Sequence, residues 1–147
     1  MNSSDSAANP PIASARIDPA QALEVSFESD QRRRQRMLPL LAWPQTHSSF
    51  VGYVEVAPGD LEMPHCHSAE EIVYVIEGSL EMTVGEQSAR AEAGDVLAVP
   101  AGAMHAPKNV GDGVLRLLVF LSSSVSSHTF EDVVQPLGAA TFVTPLS

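Results

Sequence analysis

From Leu38 onward, short apolar runs alternate with turn residues. The runs are rich in Val, Ile, Leu and Tyr, and they cover residues 50–56, 72–76, 80–84, 96–99 and 114–121. Each run is too short for a typical helix, and Gly or Pro follows most of them within two residues. Short strands divided by regular turn signals are typical of a sandwich or small barrel. The pattern therefore predicts an all-β fold.

Two of these runs, residues 72–76 and 115–121, are apolar on both faces. In a sheet with one face in water, every second residue is polar. We therefore expect one face of these strands to fill the interior and the other to pack on a second sheet or subunit. This pattern favours a homodimer.

The chain of 147 residues has the size of one domain. Residues 1–36 are predicted to be a flexible or irregular N-terminal segment, in which residues 23–27 could form a short strand. Residues 37–147 are predicted to form a single barrel domain with a C-terminal tail. The tail after Ser127 could be a last strand, a short helix, or an arm exchanged between protomers.

The charge is concentrated in the predicted domain. Residues 1–36 hold five basic and five acidic groups, whereas residues 37–147 hold three basic and thirteen acidic groups and carry the whole net charge of −10. An acidic body repels phosphate backbones, so we expect no nucleic-acid partner. The arginines at positions 32, 33, 34 and 36 are interpreted as a solvated approach to a first strand, in preference to a contact with RNA or an acidic surface.

Neither a disulfide framework nor a membrane span is expected. One cysteine cannot form an intrachain disulfide. No segment approaches the ~20 consecutive apolar residues that cross a bilayer, and residues 1–20 lack the apolar run of a signal peptide. The sequence predicts a soluble, cytoplasmic protein without a membrane partner.

Two histidine-containing segments carry the candidate chemistry. His65 and His67 are two residues apart, so on an extended segment their side chains project from the same face. Glu71 has the same parity, and His105 follows the turn at residues 100–102. Three neutral imidazoles and one carboxylate suit Fe(II), Mn(II), Ni(II) or Zn(II). Four protein ligands leave two positions of a six-coordinate ion for water, O2 or a small-molecule substrate.

The spacing of these residues resembles the two sequence motifs of the cupin superfamily. The first motif, G-x5-H-x-H-x3-4-E-x6-G, is matched at every fixed position by Gly59, His65, His67, Glu71 and Gly78. The second, G-x5-P-x-G-x2-H-x3-N, is matched at every fixed position by Gly94, Pro100, Gly102, His105 and Asn109. The resemblance covers about residues 50–121 and is to small, single-domain microbial cupins.

The resemblance implies a double-stranded β-helix, also called a cupin or jelly-roll barrel. It also implies that His65, His67, Glu71 and His105 bind one divalent transition metal, with iron expected first. Glu71 could in addition take a proton during catalysis. Glu70 lies next to the motif glutamate, and the motif favours Glu71 as the ligand. Asn109 and the motif glycines are implied to be structural.

Several further residues are candidates for a role in the site. Tyr53 and Glu55 could line the mouth of the barrel and act in catalysis. Arg116, in an apolar strand, is expected either to pair with an acid at an interface or to hold a substrate carboxylate in a pocket. Cys66 is expected to point away from the metal as a small buried thiol. His47 and His128 are expected on the surface.

The resemblance implies a metal-dependent enzyme that acts on a small molecule. The leading hypothesis is an Fe(II)-type dioxygenase. A lyase, decarboxylase or isomerase using the same site is the first alternative. The second alternative is a non-catalytic cupin that binds a small molecule as a sensor or helper of a partner enzyme. A metal-free structural barrel is disfavoured because three histidines and a glutamate would then be buried without a bound ion.

Overall fold

A computed structural model describes residues 12–27, 30–42, 45–46, 48–62, 64–122, 134–136 and 140–143. Within these ranges the chain is nearly all β, apart from one 3-10 turn at Pro19–Gln21. The first six strands are β1 Leu23–Phe27, β2 Asp30–Leu41, β3 Ser49–Val56, β4 His65–His67, β5 Glu70–Glu77 and β6 Ser79–Val84. The next six are β7 Gln87–Glu92, β8 Val96–Val99, β9 His105–Asn109, β10 Leu115–Ser122, β11 Val134–Pro136 and β12 Ala140–Val143.

The strands form two antiparallel sheets. The seven-stranded sheet has the order β12-β1-β2-β3-β10-β5-β8, and the five-stranded sheet has the order β11-β4-β9-β6-β7. The all-β prediction is confirmed, and two facing antiparallel sheets of this kind are the arrangement of a jelly roll.

The core lies between the two sheets. On β10, Leu115, Leu117, Val119 and Leu121 are buried, whereas the residues between them are partly or largely exposed. The same alternation runs along β5, where Val73 and Val75 join the core. The inner face of each strand therefore fills the interior, as the sequence predicts for residues 72–76 and 115–121.

All five apolar runs found in the sequence form strands. The pattern missed β7, because Gln87–Glu92 alternates polar and small residues without a bulky apolar side chain. It also missed most of β2, whose pairing with β3 joins Met37 to Val54 and Leu38 to Tyr53. Hairpin pairing with β6 makes β7 a strand, and pairing with β3 makes β2 a strand, although neither segment has the local pattern of one.

Regular structure extends to the N-terminal side of residue 36. β1 coincides with the short strand considered at residues 23–27, and β2 runs through the arginine cluster, beginning at Asp30. The domain boundary at residue 36 stays a prediction. In the tail, β11 pairs with β4 and β12 pairs with β1. None of the described helical segments has the length and apolar character needed to traverse a bilayer.

Candidate metal centre

Three strands bring together, in the interior, four side chains of the types that bind metals. His65 and His67 lie on β4, Glu71 begins the inner face of β5, and His105 is the first residue of β9. His65 pairs directly with His105 across the two strands. All four side chains are buried, and one potential ligand atom from each lies within 4.8 Å of the others.

Glu71 is the charged member of this cluster. Its Oε2 lies 2.6 Å from His67 Nε2 and 3.6 Å from His105 Nε2. The imidazole rings pack closely, with ring centroids 4.3 Å apart for His65 and His105. The arrangement is a compact group of nitrogen and oxygen donors around a common centre.

The turn before β9 fixes the orientation of His105. Gly102 adopts a φ of +76°, which residues with a Cβ rarely adopt. Its N–H donates to the carbonyl of His67 over 2.8 Å, which ties this turn to β4. His105 Nδ1 lies 2.9 Å from the carbonyl oxygen of Ala103, so Nδ1 donates there and Nε2 is directed at the cluster. This is how proteins usually orient a histidine that binds a metal.

The electrostatics of the cluster favour an ionised Glu71. Burial raises its pKa, but the interactions with His105 and His67 outweigh burial and lower the pKa to about 2. Burial in turn lowers the pKa of His105, and the contact with Glu71 outweighs this and raises it. The carboxylate is therefore ready to bind a cation without losing a proton first.

The geometry fits a metal ion. His105 Nε2 is buried and has no hydrogen-bond partner among the described residues, a costly state for a polar atom unless an ion or water binds it. Metal bonds of about 2.0–2.2 Å keep two ligand atoms within about 4.4 Å of each other. A largest separation of 4.8 Å therefore requires only a small contraction around an ion.

A second buried carboxyl group, which the sequence analysis did not identify, lies near the cluster. Glu62 is 7% exposed and accepts a hydrogen bond at Oε1 from Nε2 of the buried Gln35. Burial and the charge of Glu71 raise the pKa of Glu62 to about 8, although His105 and Gln35 act in the opposite direction. Glu62 occupies a variable position of the first motif, so the motif gave no signal for it.

Tyr53, Glu55 and Arg116 lie together, but on the other side of the seven-stranded sheet. Their neighbours Val54, Val56, Leu115 and Leu117 belong to the core, so strand alternation places these three side chains on the outer face. Arg116 Nη1 donates to Glu55 Oε1 over 2.6 Å and also to the hydroxyl of Tyr53. The catalytic role of these three residues stays a prediction. Of the two roles expected for Arg116, pairing with an acid and holding a substrate carboxylate, the contacts correspond to pairing with an acid.

The other candidates are placed as follows. Glu70 is exposed whereas Glu71 is buried, so Glu71 is the glutamate that faces the histidines. Cys66 is half-buried on β4, between two inward-facing histidines. Asn109 is buried and holds three backbone groups, donating to the carbonyls of Val56 and Gly113 and accepting from the N–H of Gly111. His47 and His128 lie outside the described residues.

A cleft of about 310 Å³ opens between β7 and β8. Seven of its nine lining residues are apolar, and the two polar ones, Gln87 and Ser88, are the first residues of β7. The nine lining residues are Met82, Val84, Gln87, Ser88, Ala89, Leu97, Ala98, Val99 and Pro100. Two lining residues are register partners of the cluster, since Val84 pairs with His105 and Val99 pairs with Glu71.

Comparison with known protein families gives a match to the Cupin domain over residues 52–121. The curated relatives include several proteins from Streptomyces. Polyketide synthase CurC of Streptomyces cyaneus is 32% identical over 106 residues, which cover 69% of each chain. Protein SchB of Streptomyces halstedii is 33% identical over 69% of this chain and 78% of its own. Tetracenomycin polyketide synthase protein TcmJ of Streptomyces glaucescens is 34% identical, and the match spans only 51% of each chain.

Solved structures share the fold. The polyketide cyclase RemF from Streptomyces resistomycificus has a TM-score of 0.60 at 18% identity, covering 84% of this chain and 85% of its own. A recombinant oxalate oxidase, solved in complex with glycolate, has a TM-score of 0.56 at 28% identity, covering 63% of this chain and 53% of its own.

Proposed function

This chain belongs to the cupin family, and on that premise we propose that it is a metal-dependent enzyme acting on a small, oxygen-bearing molecule. The observation that carries the proposal is the convergence of His65, His67, Glu71 and His105, four buried donors within 4.8 Å of one another. The proposed ion is a divalent transition metal, with iron first and manganese, nickel or zinc also suited to these ligands.

Each side chain of the cluster has a definite task in this proposal. The histidines supply neutral nitrogen donors, and Glu71 supplies the negative charge that partly balances a divalent cation. When bound, such an ion polarises a substrate carbonyl or phenolate oxygen and stabilises negative charge on it. The protein contributes a buried, largely apolar surrounding, in which that electrostatic effect is stronger than in water.

The leading reaction class is proton transfer at a carbon next to a carbonyl, as in an isomerisation or ring closure. Two relatives above 30% identity carry the name polyketide synthase, and polyketides are rich in such acidic C–H groups. In this step the C–H bond breaks, its electron pair moves onto the substrate oxygen as an enolate, and a protein base takes the proton. Glu62, a buried carboxyl electrostatically coupled to Glu71 and His105, is the residue we propose for that proton. The positive charge of a bound cation would lower the raised pKa of Glu62 and leave it ionised, as a base must be.

The second candidate is the Fe(II)-type dioxygenase expected from the sequence. The 28% identity with an oxalate oxidase favours it, and four protein ligands leave two positions of a six-coordinate ion for substrate and O2. A non-catalytic small-molecule-binding cupin is the remaining alternative. We retain the prediction of a homodimer, which rests on the strands that are apolar on both faces, and the prediction of no membrane partner. The prediction of no nucleic-acid partner also stands, since a strongly acidic domain repels phosphate backbones.

The proposal is tested by metal analysis followed by two reaction assays. The protein and its His105→Ala variant are purified anaerobically without added metal and analysed for iron, manganese, nickel and zinc. The loaded protein is then incubated anaerobically in D2O with 1-tetralone, and deuterium at the carbon next to the carbonyl is followed by NMR. O2 uptake is measured separately with catechols and β-diketones.

The outcomes separate the candidates. About one equivalent of metal that is lost in His105→Ala, with deuterium exchange faster than in the variant, supports the proton-transfer enzyme. Metal-dependent O2 uptake without deuterium exchange would favour the dioxygenase over the proton-transfer enzyme. Metal binding with neither activity favours the non-catalytic alternative, and equal metal content in the two proteins would overturn the site itself.

A further inference from the structure

The cleft between β7 and β8 is a feature of the described surface that the proposed chemistry does not yet use. Cross-strand partners point to the same face of a sheet, with Cβ atoms about 5 Å apart. Val84 is the partner of His105, and Val99 is the partner of Glu71. Two residues that line the cleft are therefore direct cross-strand neighbours of two members of the cluster.

The inner wall of the cleft is apolar. Ala89 pairs with Met82, and Leu97 pairs with Val73. Because Met82 and Val73 are core residues, Ala89 and Leu97 lie on the inward face, where Leu97 is half-buried and Ala89 is exposed to solvent. This wall contains no charged side chain among the residues that line the cleft, although the domain carries ten acidic groups in excess over basic ones. A ligand without charge on its body is therefore favoured.

The polar part of the cleft lies at the start of β7. Gln87 pairs with Val84, which is itself the partner of His105, so the Gln87 side chain lies on the inward face two strands from the cluster. The cleft thus combines an apolar wall with one inward-facing amide group. Its volume of about 310 Å³ lies at the small end of the usual range of ligand sites, about 300–1,000 Å³. This space suits one or a few fused rings and not a long chain.

We propose that this cleft binds the ring body of an aromatic substrate whose oxygen atoms reach the His65, His67, Glu71 and His105 cluster. The proposal rests on the proposed function and adds the substrate class to it. Ala89 determines the size of ring accepted, because a larger side chain at this position fills the cleft. Gln87 hydrogen-bonds a polar group on the ring system.

The test uses two diols that present the same pair of oxygen atoms. Binding of catechol and of 2,3-dihydroxynaphthalene to the metal-loaded protein is measured by calorimetry, together with metal content. The variant is Ala89→Phe, and the control is Thr83→Phe, at an exposed position on the opposite face of β6. We expect the wild-type protein to bind the naphthalene diol about tenfold more tightly than catechol, because the second ring is buried against the apolar wall.

Ala89→Phe should remove this tenfold preference while retaining the metal and the affinity for catechol, and Thr83→Phe should change neither. Unchanged preference in metal-loaded Ala89→Phe would overturn the cleft proposal and leave the proposed metal enzyme standing. Absence of metal from the wild-type protein would instead overturn the proposed function. In that case, binding of the naphthalene diol that Ala89→Phe abolishes would still support the cleft as a ring site.

Discussion

Arg116 and Glu55 face each other across β10 and β3, with Arg116 Nη1 donating to Glu55 Oε1 over 2.6 Å. Arg116 also donates from Nε to Glu77 on β5 over 2.9 Å, so a single guanidinium joins three strands of the seven-stranded sheet. Arg36 of β2 extends this network, since it lies 3.3 Å from Glu55 and donates to the carbonyls of Pro19 and Ala22. The network connects the N-terminal turn to the sheet.

Replacing Arg116 by methionine should reduce stability and leave the metal in place. Glu55 is 8% exposed, and removing the charged partner of a nearly buried carboxylate destabilises the folded protein. Because Arg36 remains, we expect a loss of about 2 kcal/mol in the free energy of unfolding, measured with urea. Arg90→Met is the control, because Arg90 is largely exposed and 3.7 Å from Glu81. Lost activity at unchanged stability would instead support the catalytic role predicted from the sequence.

The cluster variants His105→Ala and His65→Ala/His67→Ala should remain folded and lose the metal. Each variant removes donors from a site to which the described part of the chain contributes four, while the sheets keep their backbone pairing. Circular dichroism measures the fold, and elemental analysis measures the metal. Cys66→Ser is the matched control between the two histidines, and it should retain about one equivalent. Full metal content in both histidine variants would contradict the assignment of the metal site.

The stability of the metal-free protein should fall as the pH rises from about 5 to 8. Glu62 has a pKa raised from 4.5 to about 8, so in this interval the folded chain retains a proton that the unfolded chain has released. The free energy of unfolding then decreases with pH, by at most about 1.4 kcal/mol per pH unit from this group. Glu62→Gln should flatten the profile obtained from urea unfolding, whereas Glu70→Gln, at an exposed position, should not. A profile of equal slope in Glu62→Gln would show that another group is responsible.

The outer face of the seven-stranded sheet should form the interface of a homodimer. Tyr74 and Phe120, on neighbouring strands, are each 38% exposed, and an exposed apolar patch on a sheet is typical of protein contacts. Phe120→Asp should therefore convert a dimer into a monomer in size-exclusion chromatography with light scattering. Thr83→Asp places the same charge on the other sheet and should leave the dimer intact. A monomeric wild-type protein would contradict the prediction of a dimer.

The sequence was sufficient for the fold class and for the clustering of four residues. Ten motif positions at fixed spacing specify the turns and strands that carry the four side chains. Gly102 is an example, since its positive φ forms the turn from which His105 enters β9. The face on which Tyr53 and Glu55 lie was harder to predict, because Tyr53, Val54 and Val56 are all compatible with a core. The Gln35–Glu62 pair was missed because its members are 27 residues apart, and only the pairing of β2 with β3 brings Gln35 to the interior.

The hydrogen bond from the Gly102 N–H to the carbonyl of His67 joins, through backbone atoms alone, two segments that carry candidate metal ligands. We expect a site tied together in this way to keep its shape without an ion, so that one ion should be able to leave and another to enter without unfolding of the chain. The affinities of divalent metal ions for such donors follow the Irving–Williams order, whatever the protein. The availability of each metal in the cell then decides which one is bound. The metal found after purification will therefore record the growth medium as well as the preference of the protein. Only exchange between competing ions, started from the stripped and folded protein, separates the two.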